Sequence, residues 1–178
     1  YETPIAIEGF PQGAIITNAQ ELNQVCITME HSYAGDLEIW LECPNGTIVA
    51  LVNSYGAGAI PGGVSGGGTH LGDPIDDNGG GGPGEGWDYC FSSVLNDIGP
   101  MTQNWGNTIP APIFGEGSPS VDPNYIYAPE SSFADFAGCP FNGEWTIFVQ
   151  DNLGIDDGYI FGWGIDFYSS TTGISNYQ

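Results

Sequence analysis

Apolar and polar residues alternate with a period of two along several stretches of this chain, the pattern of half-buried β-strands. From Leu22 to His31, Val25, Ile27 and Met29 share one face, and Cys26, Thr28 and Glu30 the other. Ser32-Tyr33-Ala34-Gly35-Asp36 reads as a turn, after which Leu37, Ile39, Leu41 and Cys43 alternate with Glu38, Trp40 and Glu42. Pro44-Asn45-Gly46 holds an Asn-Gly pair, a strong hairpin signal, and Thr47 to Val52 returns as a strand. Trp87 to Val94 predicts a strand carrying Cys90. The clearest pattern runs from Asn142 to Phe167. Trp145, Ile147 and Val149 alternate with polar or outward positions, and so do Tyr159, Phe161, Trp163, Ile165 and Phe167. Asp151 to Gly158 lies between them and is rich in the turn formers Asp, Asn and Gly. The segment therefore predicts a C-terminal β-hairpin with a buried aromatic face. Ile5 and Ile7 add a short edge strand or arm. The best helical candidate, Glu130 to Phe136, is only about two turns long.

Composition supports one loop-rich all-β domain. A chain of 178 residues is by default one domain and is long enough to bury a core. Its 29 glycines and 13 prolines concentrate in loops, above all Tyr55 to Gly86 and the irregular stretch Asn96 to Ser132. The core is expected over residues 22–168, with an N-terminal segment 1–21 and a polar tail 169–178 available to exchange or pair with a neighbour's sheet edge.

Charge changes the picture more than length does. There are 22 acidic residues and no Lys or Arg. Nucleic acid is excluded as a partner, because its binding needs basic side chains on phosphates. An anionic membrane surface is excluded for the same reason. Apart from His31, His70 and the amino terminus, no group in the chain can pair with a carboxylate. The acids must be solvated, hydrogen-bonded or neutralised by cations.

Cys26, Cys43, Cys90 and Cys139 lack zinc-type spacing. Four cysteines allow three pairings, and in an acidic, glycine-rich β chain they predict two disulfides and an oxidising compartment. The sequence contains no signal peptide and no apolar run of membrane length. Starting at Tyr1 without Met, it reads as a processed form or an excised segment.

Two blocks carry a family resemblance. His31-Ser32-Tyr33-Ala34-Gly35-Asp36-Leu37-Glu38-Ile39 with Pro44-Asn45-Gly46-Thr47 is the first. Asn142-Gly143-Glu144-Trp145-Thr146-Ile147, followed by Val149, Asp151, Gly158, Gly162-Trp163 and Phe167, is the second. In this order the blocks resemble the two halves of the P domain, or Homo B domain, of subtilisin-like proprotein convertases. The variant around Cys43, Gly68 to Asp77, Asp88 to Cys90 and Gly138 to Pro140 looks most like P-like domains of secreted surface proteins from Bacteroidota-type bacteria. The resemblance implies a jelly-roll β-sandwich, an extracellular or cell-surface address and no catalytic residues. It also implies the pairing Cys26–Cys43 and Cys90–Cys139. A two-residue turn would set Cys26 opposite Cys43 but would place Ile27 opposite Glu42, against the apolar pattern. A longer turn, or strands in opposite sheets, is required.

Candidate chemistry is acidic. Calcium takes six to eight oxygen ligands from carboxylates, carbonyls and water. Asp73, Asp76, Asp77 and Asp88 surround the glycine loop and form the first expected calcium site. Asp36 and Asp151, with Asp156 and Asp157, form a second acidic group at turns. His31, at a strand end, suits a structural hydrogen bond better than a metal. Gly63-Val64-Ser65-Gly66-Gly67 matches G-x-S-x-G but lacks the strand and helix that a nucleophile elbow needs. Trp145 and Trp163 read as core, whereas Trp40, Trp87 and Trp105 remain open as a sugar platform. The functional expectation is a non-enzymatic structural or adhesive module stabilised by calcium and disulfides. Its expected partners are further copies in a homo-oligomer or homopolymer, or other cell-surface proteins or glycans. The alternatives are an accessory domain of a secreted subtilisin-like protease and a carbohydrate-binding module.

Overall fold

A computed structural model describes residues 1–63, 69–75, 82–113, 118–168 and 174–177. Its strands run in chain order as β1 (Glu2–Ile7), β2 (Leu22–His31), β3 (Leu37–Glu42), β4 (Ile48–Asn53), β5 (Trp87–Phe91) and β6 (Ile98–Pro100). They continue as β7 (Thr108–Ala111), β8 (Ser118–Val121), β9 (Ile126–Ala128), β10 (Gly143–Asp151), β11 (Gly158–Phe167) and β12 (Ile174–Tyr177). A four-stranded sheet has the order β1-β10-β3-β4, a six-stranded sheet the order β12-β11-β2-β5-β9-β6, and β7 pairs with β8. The two large sheets bury one common core, so the fold is an all-β sandwich. Ile5, Leu41, Trp145 and Ile147 come from one sheet, and Val25, Ile27, Phe91 and Phe167 from the other. Trp145 bridges them, its ring centroid 5.3 Å from that of Phe167 and 5.1 Å from that of Phe136. Each such large apolar side chain contributes roughly 1.5–3 kcal/mol on burial.

The strands lie where the alternation places them, and β3 and β4 form the expected hairpin around Asn45-Gly46. The C-terminal hairpin is a correction. β10 pairs with β1 and β3, whereas β11 pairs with β2 and β12 in the other sheet. Residues 152–157 are therefore a crossover between sheets. Alternation fixes which face a strand buries, and it does so equally well on either side of a sandwich. A bulge between Ile160 and Gly162 makes a second correction. It turns Phe161 outward, 49% exposed, while Trp163 stays in the core.

The disulfide pairing is a third correction. The bonds are Cys26–Cys90 and Cys43–Cys139. Cys26 and Cys90 face each other across the β2–β5 ladder, with Cα atoms 4.0 Å apart. β2 and β3 lie in opposite sheets, which separates Cys26 from Cys43. Cys43 instead ties the end of β3 to the segment that leads into β10.

Both terminal strands pair within their own chain. Tyr1 and Val149 exchange backbone hydrogen bonds of 2.8 and 2.9 Å. The alternation of an antiparallel ladder then aims Thr3, Ile5 and Ile7 at β10, and Glu2, Pro4 and Ala6 at the open edge. Pro4 has no N–H, so the middle of that edge lacks a donor and is a poor template for another strand.

Candidate metal centre

Two crossovers between the sheets meet at one end of the sandwich. The first is the link from β2 to β3, where Ala34–Asp36 form a buried 3-10 turn. The second is residues 152–157, between β10 and β11. They are stitched together by polar contacts. Ser32 N–H donates to the Asp157 carbonyl at 2.8 Å, Asp157 N–H donates to the Ser32 hydroxyl at 3.0 Å, and the Asn152 amide donates to the Asp36 carbonyl at 2.9 Å. Gly158 permits this closeness, because a Cβ there would sit 2.4 Å from the His31 ring and 2.5 Å from the Glu30 carbonyl oxygen.

Ligand atoms of His31, Asp36 and Asp151 lie within 4.8 Å of one another at this junction. Asp36 is 1% exposed, and neither of its carboxylate oxygens receives a hydrogen bond from an N–H or hydroxyl donor. Its polar neighbours are its own backbone N–H and the carboxyl of Asp151. Glu38 shows what a buried carboxylate ordinarily requires. It is equally buried, but it accepts from Ala59 N–H at 2.7 Å, Ile60 N–H at 2.8 Å and the Asn152 amide at 3.2 Å. Burial is the largest force on Asp36 and Asp151 the next, and together they push its pKa from 3.8 up to about 7. Asp156 adds to the same repulsion.

His31 stands beside the carboxylates as a neutral ring. Its Nδ1 accepts the Tyr33 N–H at 3.1 Å, so the proton of the neutral imidazole sits on Nε2. That nitrogen faces Asp151 Oδ2 at 3.7 Å. Burial lowers the pKa of His31, opposed by the charges of Asp151, Asp156 and Asp157. With Nε2 protonated, the ligand atoms of this cluster are oxygens: both of Asp36 and Oδ2 of Asp151. The other oxygen of Asp151 accepts Leu153 N–H at 3.1 Å, which fixes the carboxylate's orientation.

The expected acidic groups fare differently. Asp36 and Asp151 come together as the second group, with His31 as an addition that spacing did not indicate. In the first group, Asp73 is buried and both its oxygens accept the Ile113 N–H at 2.8 Å, while its backbone pairs with Glu85. Asp88 lies on β5 opposite Thr28 and accepts that hydroxyl's hydrogen bond. Asp76 and Asp77 lie outside the described residues, as does most of the Gly63–Gly67 match. Trp145 and Trp163 are in the core as expected. Trp87 and Trp105 pack half-buried against it, and Trp40 faces outward.

The model of the proprotein convertase P-domain family matches residues 21–63. That stretch contains β2, the buried turn bearing Asp36, β3 and β4, one of the two crossovers that build the site. No curated protein matches the chain, and no solved structure matches it. The matched strands form part of both sheets of the sandwich, and over residues 21–63 the chain is similar to the proprotein convertase P-domain.

Proposed function

We propose that this domain is a non-enzymatic extracellular module with a structural and adhesive role, its two sheet crossovers clamped by calcium. The supporting observation is Asp36, a buried carboxylate without a hydrogen-bond donor, placed against Asp151 in a chain without Lys or Arg. Two carboxylates at such a distance repel unless a proton or a cation lies between them. An all-oxygen ligand set suits a hard cation, and calcium tolerates the irregular geometry that two loops and a strand end supply. The ion would link the link from β2 to β3, through Asp36, to the end of β10, through Asp151. It would thereby hold together the points where the two crossovers meet β3 and β10, beside the last rung of their ladder, Asp151 opposite Leu37. Disulfides fit an oxidising exterior, where calcium is plentiful. The similarity to the P-domain over residues 21–63 supports a non-catalytic role. Further copies would not add at the β1 edge, which Pro4 blunts.

A ligand that binds only the folded state stabilises it by about 2.7 kcal/mol at a hundredfold excess over its dissociation constant. For a domain of this size that corresponds to roughly 5–10 °C. Melting in millimolar calcium should exceed melting in excess chelator by that order. Equal midpoints, from a sample first shown to be calcium-loaded, would contradict the clamp. The family match favours a second reading, an accessory domain of a secreted subtilisin-like protease. A catalytic domain of that type encoded upstream in the same reading frame would establish it.

A further inference from the structure

The outer face of the four-stranded sheet, away from the core, carries an aromatic pair. Trp40 on β3 and Phe148 on β10 are cross-strand partners with ring centroids 5.1 Å apart and planes within 4°. Both are half-buried, and a cleft of about 440 Å³ opens beside them, bordered by Glu2, Gln150 and Asp151. Glu2 lies opposite Phe148 on the other side, and Glu42 lies two residues along β3 on the same face as Trp40. The Gln150 amide is already committed, donating to Asn152 Oδ1 at 2.7 Å. The charged side chains of this face are all acceptors, the Tyr1 amino group at the cleft's border is committed to the Val149 carbonyl at 2.8 Å, and the chain has no Lys or Arg to neutralise them.

A guanidinium is the chemical complement of such a surface. It offers five donors and no acceptor, carries the missing charge, and is planar, so it lies on aromatic rings. A sugar hydroxyl both donates and accepts, and gains nothing from the charge. We propose that this face docks a partner protein through an arginine side chain, stacked on the Trp40–Phe148 pair and hydrogen-bonded to Glu2 and Glu42. The partner is not a second copy, because this chain has no arginine to offer. The inference rests on the reading of the domain as an adhesive module and not on the calcium clamp, so its failure leaves the chelation result untouched.

The test is an NMR titration of the full chain, in calcium and physiological salt, with the capped peptide Gly-Arg-Gly-Arg-Gly. Its citrulline and lysine analogues and cellohexaose serve as comparisons. The arginine peptide should shift the Trp40 indole signal and bind more tightly than all three. Trp40→Ala should weaken it by about tenfold, the loss expected for a cation held against an aromatic face. The surface double variant Glu2→Gln/Glu42→Gln should weaken it similarly, which keeps the test valid if Trp40→Ala unfolds. Neutralising the exposed Asp135 and Glu85, which belong to none of β1, β3 and β10, should leave affinity within about twofold, since exposed charges beyond about 8 Å are screened. An equal loss from that distant pair would reduce the effect to net charge and overturn the proposal. Binding of cellohexaose or the citrulline peptide as tight as that of the arginine peptide would overturn it too.

Discussion

Asp36 and Glu38 differ by two positions in sequence and are both buried, yet they face opposite situations. Glu38 is satisfied by backbone donors of a loop, whereas no donor from another residue reaches Asp36, which faces the carboxyl of Asp151. Without a cation, Asp36 is therefore favoured in its protonated form by the folded state. Its contribution to stability is fully present below 3.8 and is lost as pH rises through about 7. His31 acts in the reverse sense, since a lowered folded pKa gives stability that is present above 6.5 and lost as pH falls. Comparison with Asp36→Asn isolates the carboxylate, because His31 is common to both proteins. In chelator, the Asn variant should melt several degrees above the wild type near pH 8, and the gap should close as pH approaches about 4. A constant gap, measured by calorimetry across that range, would count against repulsion at Asp36. The residues at turns were legible in the sequence as acids, but their burial was not. Asp36 is buried because two distant crossovers close over it, and spacing along one strand carries no trace of the other.

At the level of elements, the strands were legible and their partners were not. β2, β3, β10 and β11 broadly follow the two-residue alternation, because each buries one face against the same core, whereas β4 is buried on both faces from Val49 to Asn53. Whether consecutive strands form a hairpin or an arch depends on the path of the connecting loop. The turn-rich residues 152–157 serve an arch as well as they would a hairpin. The same ambiguity governs the cysteines: alternation placed Cys26 on a strand, but only the β2–β5 ladder brings it to Cys90. Phe161 departs from the alternation because it is itself the extra residue of the bulge, between Ile160 opposite Met29 and Gly162 opposite Thr28. The pairing is directly testable. Non-reducing peptide mapping after cleavage at acidic residues, needed because the chain has no tryptic sites, should recover Cys26–Cys90 and Cys43–Cys139. A Cys26–Cys43 peptide would contradict the arrangement of β2 and β3 in opposite sheets. Replacing either pair with serine should cost about 2–4 kcal/mol by denaturant unfolding.

Over the whole molecule, 22 acids without a single Lys or Arg make electrostatic repulsion a general property of the fold. Salt screens exposed charges beyond about 8 Å at physiological strength, but it does not reach the buried Asp36 carboxyl, held close to the exposed Asp151. Most of the acids can be left to solvent, whereas the buried Asp36 cannot. That difference is why calcium is assigned to the junction of the crossovers and not to the surface at large. Isothermal titration calorimetry of chelator-stripped protein with calcium tests this most directly, compared with Asp36→Asn and Asp151→Asn. The account predicts one site in the wild type, with a dissociation constant no weaker than the roughly 10⁻⁴–10⁻³ M of extracellular calcium modules. It predicts that either substitution abolishes the site while the variant remains folded by circular dichroism. No binding by the wild type, or undiminished binding by folded Asp36→Asn, would contradict it.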